Sequence, residues 1–100
     1  MSNAVWSISY KLVEGASVPD FLRASEACSR EALSKNPGFI SWKQLKNEDT
    51  WVDFVTWETM EDAIRAEKME GEPNAAAQAF YAFIDFSSIH MQAFSVVGSY

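Results

Sequence analysis

The stretch NPGFISWKQLKNEDTWVDFVTWETMEDA, residues 36–63, decides the fold of this chain. It holds a helix breaker, two apolar runs separated by a polar turn, and the start of a helix. The runs at residues 39–45 and 51–57 are joined by the short segment KNEDT, which is typical of an antiparallel β-hairpin. Thr59 followed by Asp62 has the spacing of a capping box, so a helix is expected directly after the hairpin.

Two more strands are predicted at the ends of the chain. Apolar and polar residues alternate over residues 4–13, which predicts a first strand with Trp6 and Tyr10 on the same face. The C-terminal run IHMQAFSVVGSY predicts a last strand, in which His90 and Met91 face opposite ways.

Helices are predicted between these strands. Ser17 is the expected cap of a first helix, which ends at the Asn-Pro-Gly breaker. The second helical region is expected to be interrupted at Gly71 and Pro73 and to resume with Asn74 as the cap of a helix over residues 75–86.

The resulting order is β-α-β-β-α-β with the second helical region split in two. This order predicts a single α+β domain, residues 1–100, with the ferredoxin-like fold. Its four-stranded antiparallel sheet is expected in the order 4-1-3-2 with the helices on one face. Large apolar residues occur on both faces of the predicted strands, so the helix-free face is expected to pack against a second copy of the chain as a homodimer.

Charge and cysteine content limit the partners. The net charge of −6 disfavours nucleic acids and anionic membranes, since both attract clustered Lys and Arg. Cys28 is the only cysteine of the sequence, so it has no intrachain disulfide partner. No secretory leader or membrane span is visible, and a cytoplasmic location is the expectation.

Three segments make the chain resemble the dimeric α/β-barrel superfamily, and within it the antibiotic-biosynthesis-monooxygenase-like domains. They are PGFISWKQL, WVDFVTWETMEDAIRA and AFYAFIDFSSIHMQAFSVV. The resemblance implies a dimer and allows several activities, because this superfamily includes oxygenases, decarboxylases, isomerases and haem proteins. Haem-degrading members use an Asn in the first strand and a Trp and a His at or after the second helix. None of these occurs at the matching positions here, so haem chemistry is not expected.

The resemblance also implies a possible oxygenase. Cofactor-independent, quinone-forming members use a pocket of Asn, Trp, Tyr and Arg around an aromatic substrate, and this chain supplies Trp and Tyr. The aromatic walls of such a pocket are predicted to come from Trp6, Tyr10, Trp57 and Tyr81. The alternative for these residues is core and dimer packing.

His90 is the predicted catalytic residue, because it is the only histidine and its pKa is ordinarily near neutrality. The alternative is a partly buried strand residue with a structural hydrogen bond. Asp53, in the middle of the third strand, is expected to pair with a Lys or Arg, either within the chain or at an interface. The alternatives are contact with solvent or a role in tuning a site.

No set of residues in the sequence is suited to hold a metal, haem or flavin, so no cofactor is expected. Three functions remain open. The first is a cofactor-independent, monooxygenase-like enzyme acting on a small aromatic or polyketide-like compound. The second is a non-catalytic module that binds a small hydrophobic or aromatic ligand, and the third is a purely structural dimer.

Overall fold

A computed structural model describes residues 2–69 and 74–100 of the chain. Its elements follow the predicted order, and the α+β ferredoxin-like fold is confirmed. The strands and helices are β1 (Ala4–Leu12), α1 (Val18–Glu31), β2 (Phe39–Asn47), β3 (Thr50–Trp57), α2 (Met60–Met69), α3 (Ala75–Tyr81) and β4 (Ile84–Ser95), with a 3₁₀ turn at Leu33–Lys35 after α1. The interruption predicted at Gly71 and Pro73 lies outside the described residues.

The four strands form one antiparallel sheet in the order β2-β3-β1-β4, which is the predicted order. In the central pair, Trp6 lies opposite Val55, and Ile8 lies opposite Asp53. Directly opposed residues in neighbouring strands share a face of the sheet. The register therefore places Asp53 in the middle of the sheet, among the side chains that point toward the helices.

The helix starts match the capping residues expected from the sequence. The hydroxyl of Ser17 accepts a hydrogen bond from the backbone N–H of Asp20, and that of Thr59 accepts one from the N–H of Asp62. The side chain of Asn74 accepts one from the N–H of Ala77. Each of these bonds satisfies a donor that the first turn of a helix leaves unpaired.

The boundary between α3 and β4 differs from the prediction. The helix was expected to continue to residue 86, whereas it ends at Tyr81 and the strand begins at Ile84. Ile84 pairs with Leu12 of β1. Tertiary pairing with an existing strand outweighs the local helical spacing of Phe80, Phe83 and Ile84, since helix propensity is only a weak preference.

The helices cover one face of the sheet and form two clusters of buried residues with it. The first, which we call the Trp57 cluster, consists of Ala4, Trp6, Val55, Trp57, Ala63 and Ala66. The second, the Phe21 cluster, consists of Tyr10, Phe21, Cys28, Trp51, Ala77, Phe80 and Ile84.

The opposite face of the sheet carries no helix among the described residues. Three large apolar side chains on it are 41–46% exposed, namely Phe54, Leu45 and Phe94. No helix in the described ranges combines the length and the apolar character that crossing a membrane requires.

Candidate active site

A cavity of about 530 Å³ lies between the sheet and the helices. Its floor is formed by side chains of all four strands, and its roof by α1, α3, the turn after α1 and one residue of α2. Most of the lining is apolar or aromatic, which suits a small ring compound. The strand residues that line it are Trp6, Ile8, Tyr10, Trp42, Asp53, Val55, Ile84, Phe86, Ile89 and Met91.

Asp53 is the one charged group on the floor of this cavity among the described residues. Its side chain is 3% exposed and accepts a hydrogen bond of 2.8 Å from the Tyr10 hydroxyl through Oδ1. None of the ion pairs formed by the described residues includes Asp53. Within the described residues, a bond to a neutral phenol therefore takes the place of the expected intrachain pairing with a Lys or Arg.

Burial raises the pKa of Asp53 to about 7. Desolvation is the main cause, because an apolar cavity disfavours the charged form of a carboxyl group. The Tyr10 hydroxyl and the Trp42 indole act in the opposite direction and lower the pKa. Asp53 thus exists in both protonation states near neutral pH, which is the property required of a general base or acid.

Tyr10 remains protonated at all physiological pH values. Burial and the neighbouring negative charge of Asp53 both raise the pKa of its hydroxyl well above the usual value. It therefore acts as a hydrogen-bond donor to Asp53. The side chain of Gln44 partly offsets this rise in the pKa of Tyr10 and donates a 2.9 Å bond to the buried hydroxyl of Ser25 in α1.

The indole of Trp42 lies beside Asp53 on the floor of the cavity. Although Trp42 lowers the pKa of the carboxyl group, its Nε1 forms no hydrogen bond of normal geometry with the described residues. We interpret the contact as an electrostatic attraction between a poorly aligned N–H and the carboxylate. The Trp6 and Trp57 Nε1 atoms are also buried without an acceptor in the same set of residues.

The mouth of the cavity is more polar than its floor. Glu31 and Lys35 line it with opposite charges, and both side chains are exposed. Asn74 donates a 2.9 Å hydrogen bond to the backbone carbonyl of Glu31, which ties the start of α3 to the end of α1. The polar groups thus surround the opening, while the interior is aromatic around one carboxyl group.

The structure brings three of the four predicted wall residues together. Trp6, Tyr10 and Tyr81 line the cavity. Trp57 does not belong to the described lining and is fully buried in the Trp57 cluster, against the ring of Trp6 at a centroid distance of 4.8 Å. Trp57 is therefore a core residue, as the alternative interpretation of these aromatic side chains expected, because the other residues of the cluster cover its indole.

His90 lies on the other side of the sheet. It pairs with Ser9 of β1, so it shares the helix-free face, and its side chain is exposed. Its neighbour Met91 is the residue that lines the cavity. The catalytic role predicted for His90 required its side chain to face the cavity, and this placement removes that geometric basis.

Sequence reasoning missed Asp53 as the central polar group of the site. The available signal was a lone carboxylate between Trp51 and Val55 in a strand whose odd-numbered residues are otherwise apolar. Such a residue is costly to bury unless function or pairing retains it. The described residues contain no cluster of three or more His, Cys, Asp and Glu side chains suited to bind a metal ion.

Solved structures with the same fold cover nearly the whole chain. The cofactor-independent oxygenase SnoaB from Streptomyces nogalater superposes with a TM-score of 0.67 at 16% identity, over 99% of this chain and 97% of that one. The monooxygenase from the gene ActVA-Orf6 of Streptomyces coelicolor, solved with nanaomycin D, gives 0.68 at 12% identity, over 99% and 91%.

A dimeric ferredoxin-like protein from an uncultured marine organism gives a TM-score of 0.65 at 13% identity, over 100% of this chain and 92% of that one. No protein-family model matches the sequence, and the search of curated proteins finds no relative. These solved structures confirm the expected fold: the chain is similar in three-dimensional structure to proteins described as a cofactor-independent oxygenase and a monooxygenase.

Proposed function

We propose that this protein is a cofactor-independent, monooxygenase-like enzyme that acts on a small aromatic or polyketide-like compound in the cavity. The observation that carries the proposal is Asp53, a buried carboxyl group with a pKa of about 7 on the floor of an aromatic-walled cavity. A carboxylate with this pKa is basic enough to take a proton from an acidic ring hydroxyl or an activated ring CH₂ near neutral pH.

The proposed reaction begins with proton transfer from the substrate to Asp53. The Tyr10 hydroxyl keeps its own proton and holds the carboxyl group in place through the 2.8 Å bond. The electron-rich substrate anion then reacts with O₂, and a ring CH₂ becomes C=O while the second oxygen atom leaves as water. The substrate supplies all the electrons, so the atoms and charges balance with no further reductant.

The likeness to SnoaB and to the ActVA-Orf6 monooxygenase supports this reading, since the first is described as a cofactor-independent oxygenase and the second was solved with nanaomycin D. The size of the cavity agrees with it, because sites for drug-sized ligands usually measure about 300–1,000 Å³. The binding-module alternative calls for a purely apolar cavity. A protonatable group at the centre of this one favours catalysis.

We also propose that the enzyme is a homodimer joined through the helix-free face of the sheet. Phe54 and Phe94 are exposed there, and Val5 and Val52 are partly buried on the same face. A stable interface of this kind buries more than about 1,000 Å² in total.

Phe54→Lys places a charge at the centre of this interface and is expected to give a monomer by light scattering. The control Val13→Lys, in the loop after β1, should leave the dimer intact. A monomeric parent protein contradicts this proposal.

Oxygen consumption tests the catalytic proposal. Dithranol, a dihydroxyanthrone, offers both a ring CH₂ and acidic hydroxyls, and its oxidation to the quinone is visible by absorbance. The kcat/KM of the parent protein is expected to rise with pH and to reach half its maximum near pH 7, because Asp53 must be ionised to act as the base.

Asp53→Asn is expected to lower kcat by about 10²–10⁴, the usual contribution of a general base. The control is Asp49→Asn, which removes an exposed carboxylate 3.6 Å from Lys11 and should leave kcat unchanged. Full activity in Asp53→Asn, or no enzyme-dependent oxidation of dithranol and related hydroxylated rings, rejects the proposed function.

A further inference from the structure

The carboxyl group of Asp53 lacks a cationic partner in the described part of the chain. Its one hydrogen bond of normal geometry there comes from the neutral Tyr10 hydroxyl and uses Oδ1, and the poorly aligned N–H of Trp42 is the other neutral donor beside it. The oxygen Oδ2 accepts no such hydrogen bond from the described residues, yet Asp53 lines the cavity and is 3% exposed. A buried carboxylate in this state has unused capacity to accept hydrogen bonds and charge from a ligand.

A row of aromatic rings leads from this carboxyl group toward the opening. The rings of Trp42 and Phe80 meet edge to face at 5.2 Å, and Phe80 contacts Tyr81 at 5.7 Å. Tyr81 in turn contacts Phe86, a largely exposed ring, at 6.0 Å. All four residues line the cavity. Ring faces attract cations, and they do so more strongly where water is excluded.

We propose that this cavity binds small organic amines in their protonated form, with the ammonium group paired to Asp53 and the hydrocarbon part against the aromatic row. The ammonium ion supplies the positive charge and the hydrogen-bond donors that the described residues do not provide. The net charge of −6 also attracts cations toward the protein from solution. The inference does not depend on the proposed oxygenase reaction, since it concerns binding only.

Binding of such an amine is expected to depend on pH. Below pH 7 Asp53 is largely protonated and offers a neutral partner, whereas above pH 7 it is ionised and offers an ion pair. Affinity for an amine therefore rises with pH through this range. The other titratable or charged side chains of the cavity lining, from every element around it, are Tyr10, Cys28, Glu31, Lys35 and Tyr81.

Among these groups, Glu31 and Lys35 lie at the mouth of the cavity, carry opposite charges and are exposed. Asp53 is buried on the floor, where an ammonium group would meet it, so the change in affinity between pH 5.5 and 8 is assigned to Asp53. Tyr10 stays protonated throughout because its pKa is raised.

Two probes of nearly the same shape test the proposal. Naphthylmethylamine is a cation at both pH values, and naphthylmethanol is its neutral counterpart. Calorimetry with the full chain is expected to show the amine binding at least about 10-fold more tightly than the alcohol at pH 8, because an ion pair shielded from water contributes more than one factor of ten. At pH 5.5 this preference should fall severalfold, while the affinity for the alcohol should not change.

Asp53→Asn keeps the shape of the side chain and removes its charge. It should abolish the preference for the amine at pH 8 and retain binding of the alcohol, and the control Asp49→Asn should behave as the parent protein does. The pH comparison on the parent protein needs no variant, so it stands even where Asp53→Asn folds poorly. Equal affinity for the two probes at pH 8, an undiminished amine preference in folded Asp53→Asn, or no binding of either probe overturns the proposal.

This test is separable from that of the proposed function. Oxidation of dithranol reports the proton transfer by Asp53, and binding of naphthylmethylamine reports ion pairing with the same carboxylate. A protein that oxidises dithranol and shows no amine preference refutes only the amine site. A protein that prefers the amine and oxidises none of the hydroxylated rings refutes only the oxygenase.

Discussion

The Trp57 cluster and the Phe21 cluster lie under the same face of one sheet, yet only the second contains titratable side chains, those of Tyr10 and Cys28. In the Trp57 cluster, two alanines of α2, Ala63 and Ala66, pack against the indoles of Trp6 and Trp57. Small residues on the helix let it approach two large rings closely, and the indole of Trp57 is fully buried there. The cluster contains no titratable side chain.

In the Phe21 cluster, large rings come from both layers. Phe21 of α1 packs against Trp51 at a centroid distance of 5.0 Å and stacks on Phe80 of α3 at 5.5 Å. The cavity lies between the two clusters and takes its lining from both, with Asp53 on its floor. The same face of the sheet is therefore closed over Trp57, which is fully buried, and leaves room for a ligand around Asp53.

The largest expected effect is on stability and concerns the Trp57 cluster. Trp57→Ala removes a side chain that is 0% exposed and contacts both Trp6 and Phe39, at centroid distances of 4.8 and 5.8 Å. We expect a loss of about 3–5 kcal/mol in the free energy of unfolding, the usual cost of deleting a buried aromatic side chain. Urea denaturation measures it.

Trp42→Ala is the matched control, because Trp42 is only half-buried and borders space that is already empty. Its cost should be clearly smaller than that of Trp57→Ala. Equal losses of stability in the two variants would mean that the Trp57 cluster and the surroundings of the cavity are packed alike, which contradicts the comparison.

The second effect concerns Asp53 and should depend on pH. Its pKa is about 7 in the folded chain and near 3.8 when unfolded. Between these values the unfolded chain binds fewer protons than the folded one, so the contribution of Asp53 to stability falls as pH rises through this window. Above pH 7, where Asp53 is ionised, the loss in the free energy of unfolding is complete. It amounts to about 4 kcal/mol, on the basis of about 1.4 kcal/mol per pKa unit.

Asp53→Asn is therefore expected to be more stable than the parent protein at pH 8, by about 2–4 kcal/mol, and to lose this advantage near pH 4. Thermal or urea unfolding at both pH values measures the difference, and subtraction of the two proteins cancels the titration of all other groups. Asp49→Asn should show no such gain. A stability difference that is independent of pH would show that folding does not raise the pKa of Asp53.

These two cases also show how far the sequence could predict the molecule. The first three strands and the helix caps follow from local patterns such as the hairpin at residues 39–57 and the Thr59 cap, and they were predicted correctly. The sheet order was also correct, and it rested on the order of the elements and on the family resemblance. The last strand ends at Ser95, whereas it was expected to run to residue 100. The start of β4 at Ile84 was not predicted correctly, because pairing with β1 is a long-range contact that local spacing does not encode.

The site was harder to predict. The alternation of apolar and polar residues along a strand assigns each residue to a face of the sheet, but it does not show whether helical side chains fill the space above that face. Tyr10 and Trp57 were assigned the same role, and they differ because α2 carries alanines over one of them. The chemical group was sought among histidines, which are ordinarily active near neutral pH. Asp53 reaches that range through burial, a property that only the packed structure reveals.

The smallest of the three effects concerns the hydrogen bond between Tyr10 and Asp53. Tyr10→Phe keeps the buried ring and removes the hydroxyl that donates to Oδ1 at 2.8 Å. Since this bond lowers the pKa of Asp53, its loss should raise that pKa further above 7. A hydrogen bond to a charged group contributes about 1.5–3 kcal/mol, which corresponds to a rise of about one to two pKa units.

The midpoint of the pH dependence of dithranol oxidation should therefore move upward by the same amount in Tyr10→Phe, while kcat at high pH stays close to that of the parent protein. Tyr81→Phe is the control, because Tyr81 also lines the cavity, whereas the hydroxyl that donates to Asp53 Oδ1 belongs to Tyr10. That variant should keep the midpoint near pH 7. A structural role for the Tyr10 hydroxyl would lower stability equally at pH 5.5 and 8 and leave the midpoint unchanged. An upward shift confined to Tyr10→Phe identifies Tyr10 as the residue that sets the basicity of Asp53.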